Sequence, residues 1–463
     1  MNGNVPAEGT REMDWREKYG DKELTADAAA NVVKSGDRLA FSLEVGGGPR
    51  TLVEAVAARQ SELKNVEIEV CAPYIDPGWY GPGWEDSFKV IPQGTIDGGA
   101  ARPMVAERRG DFNPRLFSLW GKAHDEGRPG AKEIDIFMVV LSPPDEDGYC
   151  SFGADIWSKK WYAKTARKVI GEIHQNVVRT YGEGLIHASE IDYFVENTHK
   201  PPEDTPEARE YVRRMLDQPV PEYMKAIGQH IGTLVRDGDT LGIGAGKIGN
   251  TLCGQGIFDD KHDLGYYGEN IVRGVVKLVK EGVITGKRKT LHPGKVVCNN
   301  LNSGDPDDLA FIADNPMFEL YPQDYITDIR NISANDNMVV INSALSIDLT
   351  GQIASESIGH QMYTGSGGQP DLVIGAMLSK GGRSITMLRS TSSDNQASRI
   401  VPSLEPGTIV TVPRNFADYI VSEYGIAGLH GKTQRERAEE LIAIAHPDSR
   451  SELREAARKL YWP

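Results

Sequence analysis

Arg236-Asp237-Gly238-Asp239-Thr240-Leu241 has a counterpart in Lys34-Ser35-Gly36-Asp37-Arg38-Leu39. Each copy follows a segment with helical spacing, turns through Gly-Asp, and enters an apolar run. A glycine-bearing loop comes next, and then a Thr-Leu pair, Thr51-Leu52 in one copy and Thr251-Leu252 in the other. Helix, turn, strand, loop and helix in that order open an α/β unit. Recurrence of the unit at domain length predicts two related open α/β domains with the active site at their junction. On this reading residues 1–22 are a polar N-terminal arm, 23–218 the first α/β domain and 219–463 the second.

Between and beyond the two copies the pattern stays α/β. Thr25 is placed to cap a helix running to Val33, and Thr51 to Arg59 continues the first unit. Val66 to Val70, Ile134 to Leu141, Val169 to Val177, Ile191 to Val195, Met338 to Ile341 and Ile409 to Val412 read as strands. Tyr223 to Val235 reads as a helix, and Thr433-Gln434-Arg435-Glu436 is a capping-box start for another. Pro201, Pro202, Pro206, Pro219 and Pro221 mark a linker near 200–220. Pro73 to Pro92 carries Trp79, Tyr80 and Trp84 among glycines and prolines and is expected as a long loop, lining a pocket or anchoring a surface.

Composition narrows the partners. A net charge of −15 over 463 residues leaves no general basic face, which argues against nucleic acid and against a membrane surface. No run of 18 apolar residues and no signal-peptide core is present, so a cytoplasmic protein is expected. Cys71, Cys150, Cys253 and Cys298 are far apart and lack C-x-x-C spacing, so neither a disulfide framework nor a metal site is expected.

The chemistry centres on Asp263-Leu-Gly-Tyr-Tyr-Gly-Glu-Asn270, in which Glu269 precedes a face made of Val272, Val275, Val276, Val279 and Val283. A glutamate ahead of a helix is favoured by the helix dipole without any catalytic role. What sets this one apart is its flanks. Gly244-Ala-Gly-Lys-Ile-Gly249 lies before it and Tyr363-Thr-Gly-Ser-Gly-Gly-Gln-Pro-Asp371 after it. Exposed backbone N–H groups in such loops suit an anion or a developing oxyanion. The first loop also fits G-x-G-x-x-G, with Glu269 where a ribose-binding acid would stand, and so admits an NAD-dependent oxidoreductase. The approach to Glu269 through Phe258-Asp-Asp-Lys-His262 lacks the apolar second strand that reading needs.

Several further segments carry a resemblance that spans nearly the whole chain. Ser142-Pro-Pro-Asp145 with Gly148-Tyr-Cys-Ser-Phe-Gly153, Ile186-His-Ala-Ser-Glu-Ile-Asp-Tyr-Phe-Val195, Asn335-Asp-Asn-Met338 with Ile341-Asn-Ser-Ala-Leu345, Tyr363 to Asp371, Ser379-Lys-Gly-Gly382 and Glu423-Tyr-Gly-Ile-Ala427 are similar to the acetyl-CoA hydrolase/transferase family, in its 4-hydroxybutyrate CoA-transferase branch. The resemblance implies two domains of the NagB/RpiA/CoA-transferase-like fold. It also implies a CoA-transferase moving CoA between an acyl-CoA and a small carboxylic acid through a covalent glutamyl-CoA intermediate, with CoA as substrate and no permanently bound cofactor. Glu269 matches the nucleophile, Ile248, Gly367 and Gly368 the backbone donors to the thioester oxygen, and Asn342 a residue orienting the carbonyl. Gly244, Gly246, Lys247, Gly249, Tyr363 and Gly365 fall in the CoA-binding loops, and Lys380 and Arg383 are candidates for CoA's phosphates or the carboxylate. A homodimer or higher homo-oligomer is expected. An acyl-CoA hydrolase using the same glutamate and a non-catalytic CoA-binding protein are the alternatives.

The chain departs from the branch around its nucleophile. Lys247 and Gly249 replace a glycine and a proline of the first loop, and Tyr267, Gly268 and Asn270 replace the usual neighbours of the glutamate. Residues beside Glu269, together with the Trp79 to Trp84 loop, are therefore expected to shape a pocket for an acyl group different from 4-hydroxybutyrate.

Overall fold

Each Gly-Asp turn feeds a central strand of a large sheet. The computed structural model describes residues 15–42, 48–71, 75–96, 101–199, 205–301, 303–313 and 315–462. Most of the expected arm (1–14), part of the Gly46-Gly47-Gly48-Pro49 loop and the prolines 201 and 202 lie outside the described residues.

The strands of the two large sheets, in chain order, are β1 (Glu23–Leu24), β2 (Arg38–Phe41), β3 (Val66–Val70), β4 (Phe88–Pro92), β5 (Ile136–Leu141), β6 (Lys168–Ile173), β7 (Tyr181–Gly182), β8 (Tyr193–Glu196), β9 (Thr240–Ile243), β10 (Gly265–Tyr267), β11 (Val296–Cys298), β12 (Phe318–Leu320), β13 (Met338–Ser343), β14 (Arg383–Met387), β15 (Tyr419–Ser422) and β16 (Gly425–Gly428). The first sheet runs β1-β8-β6-β5-β2-β3-β4 and is parallel throughout. The second runs β16-β15-β14-β13-β9-β10-β11-β12-β7, parallel except for the β15–β16 hairpin. The order β6-β5-β2-β3-β4 in one is matched by β14-β13-β9-β10-β11 in the other, with β2 and β9 in equivalent places. The paired turns thus begin two copies of one topology. In both, the chain reverses direction across the sheet beside the first strand, and a ligand site forms at the carboxyl ends of the strands at such a point.

Helices α1 (Trp15–Tyr19), α2 (Ala26–Ala30), α3 (Arg50–Ala57), α4 (Pro206–Leu216), α5 (Glu222–Leu234), α6 (Gly249–Leu252), α7 (Val275–Lys280), α8 (Gln369–Leu378) and α9 (Gln434–Ala443) pack around the sheets or join them. Thr25 caps α2 through a bond from Ala28 N–H, and the Thr433–Glu436 capping box starts α9. α5 buries Met224, Ile227 and Ile231, the stripe that helical periodicity requires.

The structure corrects five expectations. Trp15 is buried with its ring 5.2 Å from that of Phe194, so the chain from Trp15 on is folded against the first sheet rather than being a loose arm. The expected linker contains α4, capped by Thr205 with Pro206 in its first turn, a place where proline forfeits no helical hydrogen bond. β7 comes from the first half of the sequence yet forms the edge of the second sheet, so the halves interlock. Ile409–Val412 is not a strand: Ile409 and Val410 are exposed, and only Val412 makes an isolated bridge, to Ile353. The helix after Glu269 is confined to α7 and excludes Val272 and Val283, although both are buried.

Candidate active site

Glu269 stands just past the end of β10 and not at a helix start. β10 is short but fully buried between β9 and β11, and its three residues Gly265-Tyr266-Tyr267 were too few to register as a strand in the sequence. Tyr266 and Tyr267 point to opposite faces of the sheet, as successive strand residues must. Both are fully buried, Tyr266 bonding Asn270 O and Tyr267 bonding Tyr325 O at 3.1 Å. They are core residues, and the expectation that they shape the acyl pocket is corrected. Asn270 does line the cavity, tied by Asn300 Nδ2 at 2.9 Å.

The first half of the chain reaches the site in two places. Glu269 O accepts from the N–H groups of Asn299 (3.2 Å) and Asn300 (2.9 Å), while Ile156 N donates to Asn299 O at 2.8 Å and Leu301 N to Ala154 O at 2.7 Å. Residues 299–301 are therefore held between the two halves, and Trp157 is carried to the cavity. At the other side Gly367 N donates to Gly94 O at 3.1 Å, and the hydroxyls of Thr95 and Thr364 are 2.9 Å apart. The second glycine loop is thus braced by the first half just before it becomes the N-cap of α8.

The cavity has a volume of about 460 Å³. Of the predicted site residues, Gly244, Gly246, Glu269, Asn342, Gly365, Gly367 and Gly368 line it, joined by Phe117, Trp157, Ser343 and Gln369. Glu269 is the one charged residue on the described lining. It is 8% exposed, and its Oε1 has no hydrogen-bond partner. Asn342 Nδ2, Ser343 Oγ and Gln369 Nε2, on the same lining, are likewise buried and unpartnered. An unmade bond to a buried polar atom costs about 1–3 kcal/mol, so several in one cavity mark a place built for a polar guest. A Cβ at Gly368 would lie 2.5 Å from Glu269 Oε1, so any side chain there would displace the carboxylate.

Burial pushes the Glu269 carboxyl up to about 8; the charge of Asp371 adds to the rise and a hydrogen bond from the Gly368 backbone opposes it. Asp371, in the first turn of α8, is itself pushed up to about 6 by burial, against hydrogen bonds from Ser118.

The remaining predicted residues lie elsewhere. Ile248 is buried at the start of α6 and Gly249 is inside it, while Lys247 is exposed on the loop. Tyr363 is partly buried, with its backbone bonded to Arg102 Nε and Glu356 O. Lys380 and Arg383 sit at the amino end of β14, the opposite end of the strand from the cavity. Lys380 has a side chain 88% exposed beside Asp336, and Arg383 is buried in an ion pair with Asp239. The Trp79 to Trp84 loop is also corrected. Trp79 is buried against Phe41 (5.9 Å) and Phe88 (5.7 Å) in the core of the first sheet, Trp84 lies on Phe88, and neither lines the cavity.

β10 supplies the second strand that the sequence had hidden, but α6 is only four residues long, too short a helix to set against a pyrophosphate, and the glycine loop faces Glu269 instead. Gln369 and Asp371 could have been found from their place in the quoted glycine loop. Phe117, Ser118 and Trp157 reach the site only through packing between the halves and left no local signal.

Comparison with known proteins agrees with this architecture. The acetyl-CoA hydrolase/transferase N-terminal domain matches residues 8–203 and the C-terminal domain of the same family matches 304–457. The chain is 38% identical over 450 residues to a 4-hydroxybutyrate coenzyme A transferase of Clostridium kluyveri, covering 97% of this chain and 100% of the relative. It is 36% identical to a succinyl-CoA:cyclohexane-1-carboxylate CoA transferase of Geobacter metallireducens, covering 96% and 97%. The crystal structure of RipA from Yersinia pestis superposes with a TM-score of 0.85 at 32% identity, covering 97% of this chain and 100% of that one.

Proposed function

Because the chain belongs to the acetyl-CoA hydrolase/transferase family, we propose that it is an acyl-CoA:carboxylate CoA-transferase in which Glu269 is the nucleophile. The observation that carries this reading is the buried Glu269 carboxylate, one oxygen unpartnered, facing a glycine loop across a cavity with unpaired donors. A carboxylate with a raised pKa is a stronger base and a stronger nucleophile once ionised, and binding energy from the remote part of CoA offsets the cost of ionising it in a dry site.

In the first step a Glu269 Oε attacks the thioester carbonyl carbon, the C–S bond breaks, and CoA leaves as thiolate from a mixed anhydride. The thiolate then attacks Glu269 Cδ, the C–O bond breaks, and the first acid departs, leaving glutamyl-CoA. An incoming carboxylate attacks Cδ and expels the thiolate, which attacks the new acyl carbon and restores Glu269. Each tetrahedral intermediate carries an oxyanion. The donors assigned to it are the amide of Asn342, unpartnered on the lining, and the N–H of Gly368, released from Glu269 as that carboxylate is acylated, since Gly367 N–H is already given to Gly94 O and Ile248 is off the lining; one such donor contributes about 3–4 kcal/mol. Asn342 Nδ2 and Gln369 Nε2, both without protein partners, are suited to the oxygens of the bound acyl group or acceptor.

The scheme moves oxygen in a defined way. An acceptor acid labelled with oxygen-18 in both carboxyl positions is expected to leave one label on the enzyme at Glu269 and carry the other into the new acyl-CoA. Mass spectrometry of the Glu269 peptide after turnover reads this directly, and an unlabelled glutamate after many turnovers contradicts it. Label entering Glu269 from oxygen-18 water in the absence of an acceptor would favour the hydrolase reading.

A further inference from the structure

We propose that Asp371 is a positioning residue for Glu269, a fixed negative charge held beside the nucleophile by Ser118 of the other half of the chain. The inference rests on the reading of Glu269 as nucleophile and adds a residue to it. Asp371 is 1% exposed at the third position of α8, one turn from the Gly368 backbone that touches the Glu269 carboxylate. Both its oxygens are engaged by Ser118, Oδ1 from the hydroxyl at 2.7 Å and Oδ2 from the backbone N–H at 3.2 Å. Ser118 follows Phe117, which lines the cavity. A carboxylate at the start of a helix needs no such anchor for stability, since backbone N–H groups lie nearby. Here the anchor comes from the opposite half and fixes the charge in place.

Two carboxylates sharing a dry region cannot both ionise without cost. Besides burial, the groups acting on Glu269 are Asp371, which opposes its charge, and the Gly368 N–H, which favours it, and no Lys, Arg or His is on the described cavity lining. When Glu269 attacks a carbonyl its negative charge moves onto the substrate oxygen and then onto departing CoA. The repulsion from Asp371 is thereby relieved along the reaction, so Asp371 destabilises the ionised ground state more than the acylated one. Ser118 serves by keeping Asp371 ionised while buried, because its two hydrogen bonds favour the charged form. On the Asp371 side the further charge is Asp328, which raises Asp371 as well.

The test reads the Glu269 titration in the unliganded enzyme by infrared difference spectroscopy, with the Glu269→Gln spectrum subtracted, so that it does not depend on turnover. The wild-type midpoint is expected near 8. Asp371→Asn, which keeps an acceptor for Ser118, is expected to lower it by about one pH unit, a tenfold loss of proton affinity. Ser118→Ala, which leaves α8 intact and favours neutral Asp371, is expected to move it in the same direction. A midpoint unchanged in both folded variants overturns the proposal. In parallel, the pH at which acyl-CoA labels Glu269 at half-maximal rate should fall in Asp371→Asn while the plateau rate falls too. If wild-type Glu269 titrates as expected and shifts in Asp371→Asn but never takes up CoA, the nucleophile reading has failed and the electrostatic coupling stands.

Discussion

A glutamate in water ionises near pH ~4.3, whereas burial and Asp371 hold Glu269 protonated up to about 8. Between those two values the native state retains a proton that the unfolded chain has released, so this residue's contribution to stability is present below the lower pKa and is lost as pH rises through the upper one. Glu269→Gln, neutral at every pH and nearly isosteric, is therefore expected to raise thermal stability at pH 8 by an amount on the order of 2–4 kcal/mol, fading toward nothing near pH 4. Paired melts at the two pH values check it, and a gain independent of pH would contradict the assignment. The same ionisation sets the chemistry. The single-turnover rate of CoA uptake by wild-type enzyme should climb through about pH 8. A destabilising acid retained at the centre of a large protein is what a functional constraint looks like at residue scale.

Glu269 depends on short elements, and these are what the sequence showed least clearly. The long apolar strands β3 and β5 and the helix α5 were legible because their residues repeat a local period over several positions. β10 has three residues and takes its strand character from β9 and β11 on either side, which no local pattern reveals. The glycine loops were legible as loops, but their meaning lies in tolerances that only packing displays. Gly368→Ala would put a methyl group 2.5 Å from Glu269 Oε1, so it is expected to lower kcat by roughly 100-fold or more with little change in melting temperature. Gly249→Ala, whose Cβ would meet Gly244 O at 2.3 Å inside the first loop, should instead lower stability as well as activity. The Trp79 loop had the opposite history: its aromatics suggested a pocket, and they fill a core. Trp79→Ala is expected to cost about 3–5 kcal/mol of stability and to leave the preference among acyl groups of the surviving folded enzyme unchanged, measured as ratios of kcat/KM.

At the scale of the whole molecule, two copies of one topology supply unequal parts. The second sheet holds Glu269, Asn342 and both named glycine loops, and the first supplies Gly94, Thr95, Phe117, Ser118 and Trp157 as cover and brace. The repeat of the Gly-Asp turn made the two sheets readable from sequence. The cover was not readable, because contacts between residues more than 250 positions apart, such as Thr95 with Thr364, follow from docking and not from any local pattern. The cover bears on water. An anhydride or glutamyl thioester is hydrolysed wherever water enters, so transfer depends on exclusion. Phe117→Ala and Trp157→Ala are expected to raise the ratio of acyl-CoA hydrolysis to CoA transfer several-fold, read by following free thiol with and without an acceptor acid. Whether Glu269 carries CoA is read by trapping the enzyme with an acyl-CoA in the absence of acceptor and measuring peptide masses. CoA is expected on the Glu269 peptide, removed on adding a carboxylic acid with formation of its CoA ester, and absent in Glu269→Gln. CoA attached to another residue, or a Glu269→Gln enzyme that still transfers CoA at the wild-type rate, would contradict it.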